Sequence, residues 1–565
     1  MSEAQLVDHE PWPLRALLLL ALGAALALAV HLLTRGAAAW QWTENPLRLG
    51  ASAALAAGGL VFAFSLERPR WPWALLFAVG AGLVVGFVTY WNGQPDSWGA
   101  GEGWQLTSAL LAVVIALPLF QAARDAGRRT FDYRAVHAHI LTNICLWFVA
   151  WGFVLITFLL VLLLSELFQL IGIALLHDLL QKPWFPWLLV GGALGAAIGL
   201  LRDRDRIVDT LQRVATAILS FLAPILSAGL VLFVLALPFT GLEPLWEQTR
   251  ATTPILLVCI LGAVVLINAV VGSGAEEDEA RPRIIRWAAA ALALIVLPLA
   301  IVAAVSTGKR IAQHGFTPDR LWAAVFVAIT VAGAAAYLFA VIRGRAGWPA
   351  LLRTLNLRIA VGICLVALLL ALPIVSFGAI SARDQLARLQ AGRIAPDQFD
   401  WAAMRFDFGP SGRNALERLA GSPNPIVRQR ARDALRASNR WAMAPTPPVA
   451  AGRRTRPPVK FRAEGGTVPP ALADLIGRTG QCHDEACRVV FVEPKRAVVA
   501  RPSCRHCLFL FDAQPDGTWI QRLPAPPIVT TAAPLPDTAS GRVEVRKVER
   551  QQLFVDGRPV GDAFE

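Results

Sequence analysis

The residues best suited to chemistry in this chain are four cysteines near its C-terminal end, Cys482, Cys487, Cys504 and Cys507. Their C-x4-C and C-x2-C spacing flanks a stretch that reads as a β-hairpin turning at Glu493-Pro494-Lys495. A turn centred near Pro494-Lys495 sets Cys482 opposite Cys507 and brings Cys487 near Cys504. Two chemistries fit: a pair of disulfides, or one tetrahedral zinc site built from two thiolate pairs. A redox-active Cys504–Cys507 pair is a third. His483 and His506 can substitute as ligands or serve as plain turn residues. The compartment decides, because disulfides persist only where the surroundings are oxidising. With this segment outside the membrane, as the topology below predicts, disulfides and no cofactor are expected.

The second group of chemically suggestive residues lies in apolar surroundings: Glu166, His31, His177 and Asn268. A polar or ionisable group at membrane depth is costly, so each is a functional-site hypothesis or an interhelical bond. Glu166 and Gln169 follow an apolar span and lead into Leu167 to Leu176, about half a bilayer long, then His177-Asp178. That stretch reads as an interfacial or re-entrant helix. Asn268 sits near one end of its span, where it can bond a neighbouring helix, and His31 sits near the end of the first. So few groups argue against a proton-coupled carrier. The first external loop offers only Glu44, which argues against a transferase using lipid-linked sugars. No GxSxG, HExxH or phosphate-cradling Gly-Lys loop is present. The balance leans away from an enzyme.

The elements that must position these residues are mostly membrane spans. Of the 565 residues, 55% are hydrophobic and 16% charged, with a mean hydropathy of +0.52. Segments 14–34, 49–65, 71–90, 106–121, 144–165, 184–201, 214–240, 252–271, 284–305, 321–342 and 359–377 each suit a bilayer core of roughly 30 Å. The expected fold is therefore an all-α polytopic bundle of about eleven transmembrane helices. The Ala/Gly-rich second span is its weakest member. Basic residues concentrate after the fourth span (Arg124, Arg128, Arg129, Arg134), the sixth (Arg202, Arg204, Arg206, Arg213) and the tenth (Arg343, Arg345, Arg353, Arg358). By the positive-inside rule the even-numbered loops and the N-terminus are cytoplasmic and the tail is outside. Lys309, Arg310 and Arg320 run against this assignment.

The net charge of +13 is thus assigned to loops and lipid headgroups rather than to nucleic acid. Small residues at packing spacing, Gly191/Gly195/Gly199 and Gly82/Gly86, suit close helix contact within the same chain. Leu-Pro steps at 117–118, 237–238, 297–298 and 372–373 predict four kinks.

Beyond residue 380 the character changes. Residues 381–441 read as a helical collar or docking segment. Ala415, Leu416 and Leu419, with Ile426, Val427, Ala431, Ala434 and Leu435, form the apolar faces of two short antiparallel helices. Residues 442–470 read as a Pro/Arg-rich linker, and 471–565 as a small β-rich domain carrying the four cysteines.

Five stretches in order are Leu235–Trp246 (LALPFTGLEPLW), Leu266–Val270 (LINAV), Arg310–Ala323 (RIAQHGFTPDRLWA), Gln385–Arg393 (QLARLQAGR) and Phe406–Ala420 (FDFGPSGRNALERLA). Together, over about residues 130 to 440, the chain resembles the bacterial membrane proteins grouped as the domain of unknown function 4153 family. The resemblance implies a polytopic bacterial membrane protein and carries no assigned activity. The cysteine region does not fall within the pattern.

The expected protein is a multi-pass inner-membrane protein whose partners are the lipid bilayer and an envelope protein. It would act as a non-catalytic scaffold, assembly factor or sensor with an external module. A transporter or channel for a small or amphipathic solute is the alternative.

Overall fold

The computed structural model describes residues 12, 14–36, 43–93, 100–127, 130–202, 205–241, 252–275, 282–437, 440, 461–464, 467–479, 487–500, 508–514, 517–522, 543–547, 551–555 and 558–564. The chain divides into two compact units, residues 1–444 and 445–565.

Among the described residues of the first unit, twelve helices precede the collar: α1 (Arg15–Thr34), α2 (Pro46–Ser65), α3 (Trp71–Asn92), α4 (Ala100–Ala126), α5 (Tyr133–Leu170), α6 (Leu175–Leu180), α7 (Trp184–Arg202), α8 (Asp205–Thr240), α9 (Thr252–Val271), α10 (Arg283–His314), α11 (Pro318–Gly344) and α12 (Trp348–Ala371). Among the described residues ten stretches are long and apolar enough to cross a membrane, and the last, Pro318–Ala371, contains both α11 and α12. These two are separated by a 3-10 turn at Arg345–Gly347, where Arg345 adopts φ 48°. Counted as helices, the described residues contain the expected eleven spans, and the protein is a multi-pass membrane bundle.

The helices thread up and down. The connections α2–α3, α4–α5 and α7–α8 meet at one end, where Glu67 holds Arg15 and Arg202. At that end Arg134 also donates to the Gly274 carbonyl at 3.0 Å, and Arg353 to the Val271 carbonyl at 2.8 Å. At the opposite end Asn92 donates to the Glu102 carbonyl, and Trp104 packs on Trp322.

The glycines pack as their spacing predicted, and within the chain. A Cβ at Gly195 would collide with the Leu19 carbonyl oxygen, and one at Gly199 would lie 2.6 Å from Ala16 Cα. One at Gly82 would lie 2.6 Å from the Ala54 carbonyl oxygen. So α1 meets α7, and α2 meets α3, backbone against backbone. Pro118, Pro238 and Pro298 lie inside continuous helices. The fourth Leu-Pro step does not kink a span; it ends α12, with Leu372 as the C-cap, because Pro373 disfavours helical backbone in the residue before it.

The collar consists of α13 (Phe377–Gln390), α14 (Trp401–Phe406), α15 (Gly409–Leu419) and α16 (Pro425–Arg436). Its core holds Phe399, Trp401, Met404, Phe408, Leu416, Val427 and Ala431. Ile426, expected on the apolar face, is 52% exposed, whereas Val427 beside it is buried.

The second unit carries α17 (Pro470–Thr479) and eight strands: β1 (Phe461–Glu464), β2 (Cys487–Glu493), β3 (Arg496–Ala500), β4 (Leu508–Ala513), β5 (Trp519–Arg522), β6 (Val543–Lys547), β7 (Gln551–Val555) and β8 (Arg558–Phe564). Strands β1 to β5 form one sheet in sequence order, antiparallel except for the β1–β2 pair, and β6 to β8 form another. The β2–β3 turn falls where Pro494-Lys495 predicted it. An irregularity between Phe491 and Glu493 shifts the register, so Arg488 faces Ala500. Helix α17, which the Pro-rich reading of this region passed over, buries Leu472 and Ile476 against Val489, Val499 and Phe511.

Candidate functional site

The singled-out polar residues fall into three settings. Glu166 is exposed on the last turns of α5, which runs unbroken through Leu170. The separate helix expected from Leu167 therefore does not start there; only Leu175–Leu180 form one, after Gly172 breaks the chain at φ 81°. His177 in that short helix shares a hydrogen bond with Gln181 at 2.7 Å. His31 is half-buried, its ring 6.1 Å from that of Trp187, joining α1 to α7.

Asn268 is the centre of a polar network between three helices. Its amide donates to Tyr337 Oη at 2.7 Å and to the Val264 carbonyl at 2.8 Å, and its Oδ1 accepts from Asn356 at 2.6 Å. In apolar surroundings each of these groups would be costly alone, so the three stabilise one another and pin α9, α11 and α12 together. Neither Tyr337 nor Asn356 stood out by spacing. The only signal was that Tyr337 is one of three tyrosines in the chain.

At the charged end, a larger network was missed. Glu67 accepts from Arg202 at 2.6 Å and from Arg15 at 3.2 Å. Asp125 pairs with Arg124 at 2.7 Å and His139 at 3.1 Å. The last carbonyls of α2 have no partner within their own helix. Here the Phe64 carbonyl accepts from Arg202 and Gln121, and the Ser65 carbonyl from Arg124. Arg70 donates to the Asp125 carbonyl at 2.9 Å. Arginines counted in the sequence only as markers of sidedness thus cap a helix and lock α1, α2, α4 and α7 together.

The most elaborate arrangement lies at the opposite end, where the collar grips the α10–α11 loop. Gln385 donates to the carbonyls of His314 and Phe316 at 2.9 and 3.0 Å. Asp384 accepts from the Phe316 amide at 2.7 Å, and Arg388 donates to the Gln313 carbonyl at 2.8 Å. Arg320 donates to the carbonyls of His314 and Gly315. Its charge, which ran against the sidedness rule, therefore serves the loop itself. Thr317 caps α11 by accepting from the Arg320 amide, with Pro318 at the first helical position. Gly315 adopts φ 74°, and a Cβ there would meet Asp384 Oδ2 at 2.5 Å.

Beneath the clamp, Trp322 stacks near Trp104, Phe326 and Phe377. A polar cavity of about 50 Å³ lies beside it, walled by Glu102, Gln105, Ser376 and Asp407. Asp407 pairs with Arg440. Burial pushes the Asp407 carboxyl above its ordinary range despite that guanidinium.

Three of the five resembling stretches, 310–323, 385–393 and 406–420, meet in this one place. The family model described as "Domain of unknown function (DUF4153)" matches residues 6–419. The chain belongs to that family. The match reaches further toward the N-terminus than the motifs suggested and stops at the end of α15, so α16 and the second unit lie beyond the DUF4153 region. No curated protein and no solved structure matches the chain.

Of the four cysteines, Cys487 opens β2 and is fully buried beside Leu472 and Ile476. Cys482, Cys504 and Cys507 lie outside the described residues, as do His483 and His506. Among the described residues no three His, Cys, Asp or Glu side chains are grouped to hold a metal.

Proposed function

We propose that this DUF4153 protein is a bacterial inner-membrane scaffold, assembly factor or sensor. In this reading its collar is a fixed platform on the outer face, and the second unit is an envelope-facing module closed by disulfides among its cysteines. The observation that carries the reading is the clamp. Three side chains of α13 bond the backbone of 313–316 rather than substrate-like space, so the family's own motifs are engaged in holding the collar to the bundle. Side chain-to-backbone bonds of this kind fix geometry instead of presenting reactive groups. Half-buried Asp407 pairs with exposed Arg440 at the collar's edge in the same sense.

Two measurements in intact cells test this. An impermeant thiol reagent should label Cys482, Cys504 and Cys507 only after reduction. Labelling that requires lysis would overturn the placement of the module. A photocrosslinker at Arg430 on the collar should trap one discrete envelope protein, and the double change Asp384→Ala/Gln385→Ala should abolish that adduct. An adduct that survives the broken clamp would overturn the platform reading.

A further inference from the structure

One buried donor beneath the collar is unanswered. Trp322 lines the polar cavity there, is 3% exposed, and its Nε1–H has no hydrogen-bond partner among the described residues. Its ring neighbours are Trp104, Phe326 and Phe377, which offer the indole hydrogen no oxygen. A buried donor left unpaired is costly. The cavity measures about 50 Å³, and its walls carry Glu102, Gln105, Ser376 and Asp407. That is room for a few waters, with the two to four polar partners that each requires.

The cavity lies where bundle and collar meet. From the bundle, α4 brings Glu102 and Gln105, and α11 brings Pro318 and Trp322. From the collar come Ser376 and Phe377 at the start of α13, and Asp407, Phe408 and Pro410 at the start of α15. The Glu102 carboxylate reaches that second start, since a Cβ on Gly409 would lie 3.0 Å from its Oε1. Phe408 gives α15 no side-chain cap, so the first amides of that helix favour an acid or a water beside them. Arg440 pairs with Asp407, while Asp319, Asp400 and, across the cavity, Glu102 surround the same carboxyl with negative charge. Those acids outnumber the guanidinium that pairs with it.

We propose that the cavity is a hydrated, proton-binding joint, in which water accepts from Trp322 and donates to Glu102 and Asp407, and a proton taken up at Asp407 tightens the collar's seat. Water fits because its oxygen accepts one N–H while its two hydrogens serve two carboxylates. A cation in the same place would be repelled by the indole hydrogen. Burial holds the Asp407 carboxyl above its ordinary range, with Arg440 opposing. A carboxyl that holds its proton more tightly when seated favours the seated state as pH falls. The inference goes beyond the platform reading, because it concerns the seat alone and holds whatever the collar carries.

The test uses the full chain in detergent. Radiolytic hydroxyl labelling reads the water. Corrected for intrinsic reactivity, Trp322 should be oxidised severalfold faster than Tyr337, which is 4% exposed and bonded to Asn268 instead. Equal labelling would overturn the hydration. Hydrogen exchange reads the seat, and protection factors at residues 376–379 and 408–412 should rise severalfold from about pH 7.5 to about pH 5. Asp407→Asn should abolish that rise. Arg440→Gln, at an exposed position, should move it to higher pH by removing the cation that opposes protonation. If Asp407→Asn does not melt like the wild type, the Arg440→Gln shift decides alone. A seat indifferent to pH, or a rise that Arg440→Gln leaves in place, would overturn the proton-binding joint.

Discussion

The two halves of the bundle are packed by opposite means. In the half built from α1, α2, α3 and α7, glycine and alanine let backbones touch, as at Gly195 against the Leu19 carbonyl. In the half built from α8 to α12, bulky side chains interlock: Ile267, Leu292, Leu299 and Leu352 are fully buried. Apolar lipid gives helices no hydrophobic reason to associate, so close contact must come from small residues or from well-fitted large ones. The two solutions differ in what they leave behind. Large side chains fill the space around them, while the glycine seam of α1 and α7 has an apolar slot of about 310 Å³ on its flank, lined by Gly23, Gly59, Gly191 and Gly195.

The sharpest way to break this comparison is to change volume in opposite directions. Gly195→Ala should be strongly destabilising, by about 3 kcal/mol or more, because the added methyl meets backbone that cannot move aside. Leu292→Ala in the other half should cost about 2–5 kcal/mol through the cavity it leaves. Gly229→Ala, with nothing within 4 Å of the new methyl, should be neutral or slightly stabilising through its helix preference. Unfolding midpoints in one detergent rank the three. Tolerance of Gly195→Ala would remove the seam from the account.

A smaller effect separates polar from apolar fastening within the second half. Asn268→Ala leaves Tyr337 and Asn356 without their shared partner. It should cost about 1–2 kcal/mol. Tyr337→Phe removes one bond and should cost about 0.6 kcal/mol. If both changes were silent, the helices would be held by side-chain fit alone.

Much of this comparison was legible in the sequence, and the failures follow a pattern. The spans, the alternating ends and the glycine steps depend on composition and local spacing, which a sequence displays directly. The second span read as the weakest because Gly50, Ala54 and Gly58 dilute its hydropathy. Those same residues bring it against Gly82 and Gly86 of α3, so the feature that weakened the signal is what packs the helix. Asn268 was visible as an oddity, but its partners lie 69 and 88 residues away and have no pattern of their own. Glu67 was hidden for another reason: between Arg68 and an apolar span it looked like ordinary loop charge, and only the fold brings Arg15 and Arg202 to it. Helix α17 was lost because Pro469-Pro470 reads as linker, although Pro at a first helical turn is equally a start signal.

At the collar the expected effects are local rather than global. Asp384→Ala frees the Phe316 amide, and Gln385→Ala frees two carbonyls of the same loop. Each should cost about 1 kcal/mol of local stability. Hydrogen exchange should therefore rise at residues 314–317 and leave the α9–α12 core unchanged. Protection that held in both variants would show the loop to be fixed by the aromatic packing under it.

The smallest effect is expected in the second unit, where a charged pair takes the place that Asn268 holds in the bundle. Arg496 and Asp512 face each other across β3 and β4, with N and O 2.9 Å apart, and their side chains are 21% and 16% exposed. The bond to Asp512 is the main reason the Arg496 proton is held more tightly than usual. Cross-strand pairs of opposite charge contribute about 0.2–1 kcal/mol, and water and salt screen them. Asp512→Asn should thus lower protection of the β3–β4 amides by only a fewfold, and added salt should shrink the difference. The Asn268 network is uncharged and shielded by helices, so its contribution should not respond to salt. A salt-independent loss at Asp512 would mean that the pair acts through its geometry, as the amides of the bundle do, and the contrast between the two regions would narrow to depth alone.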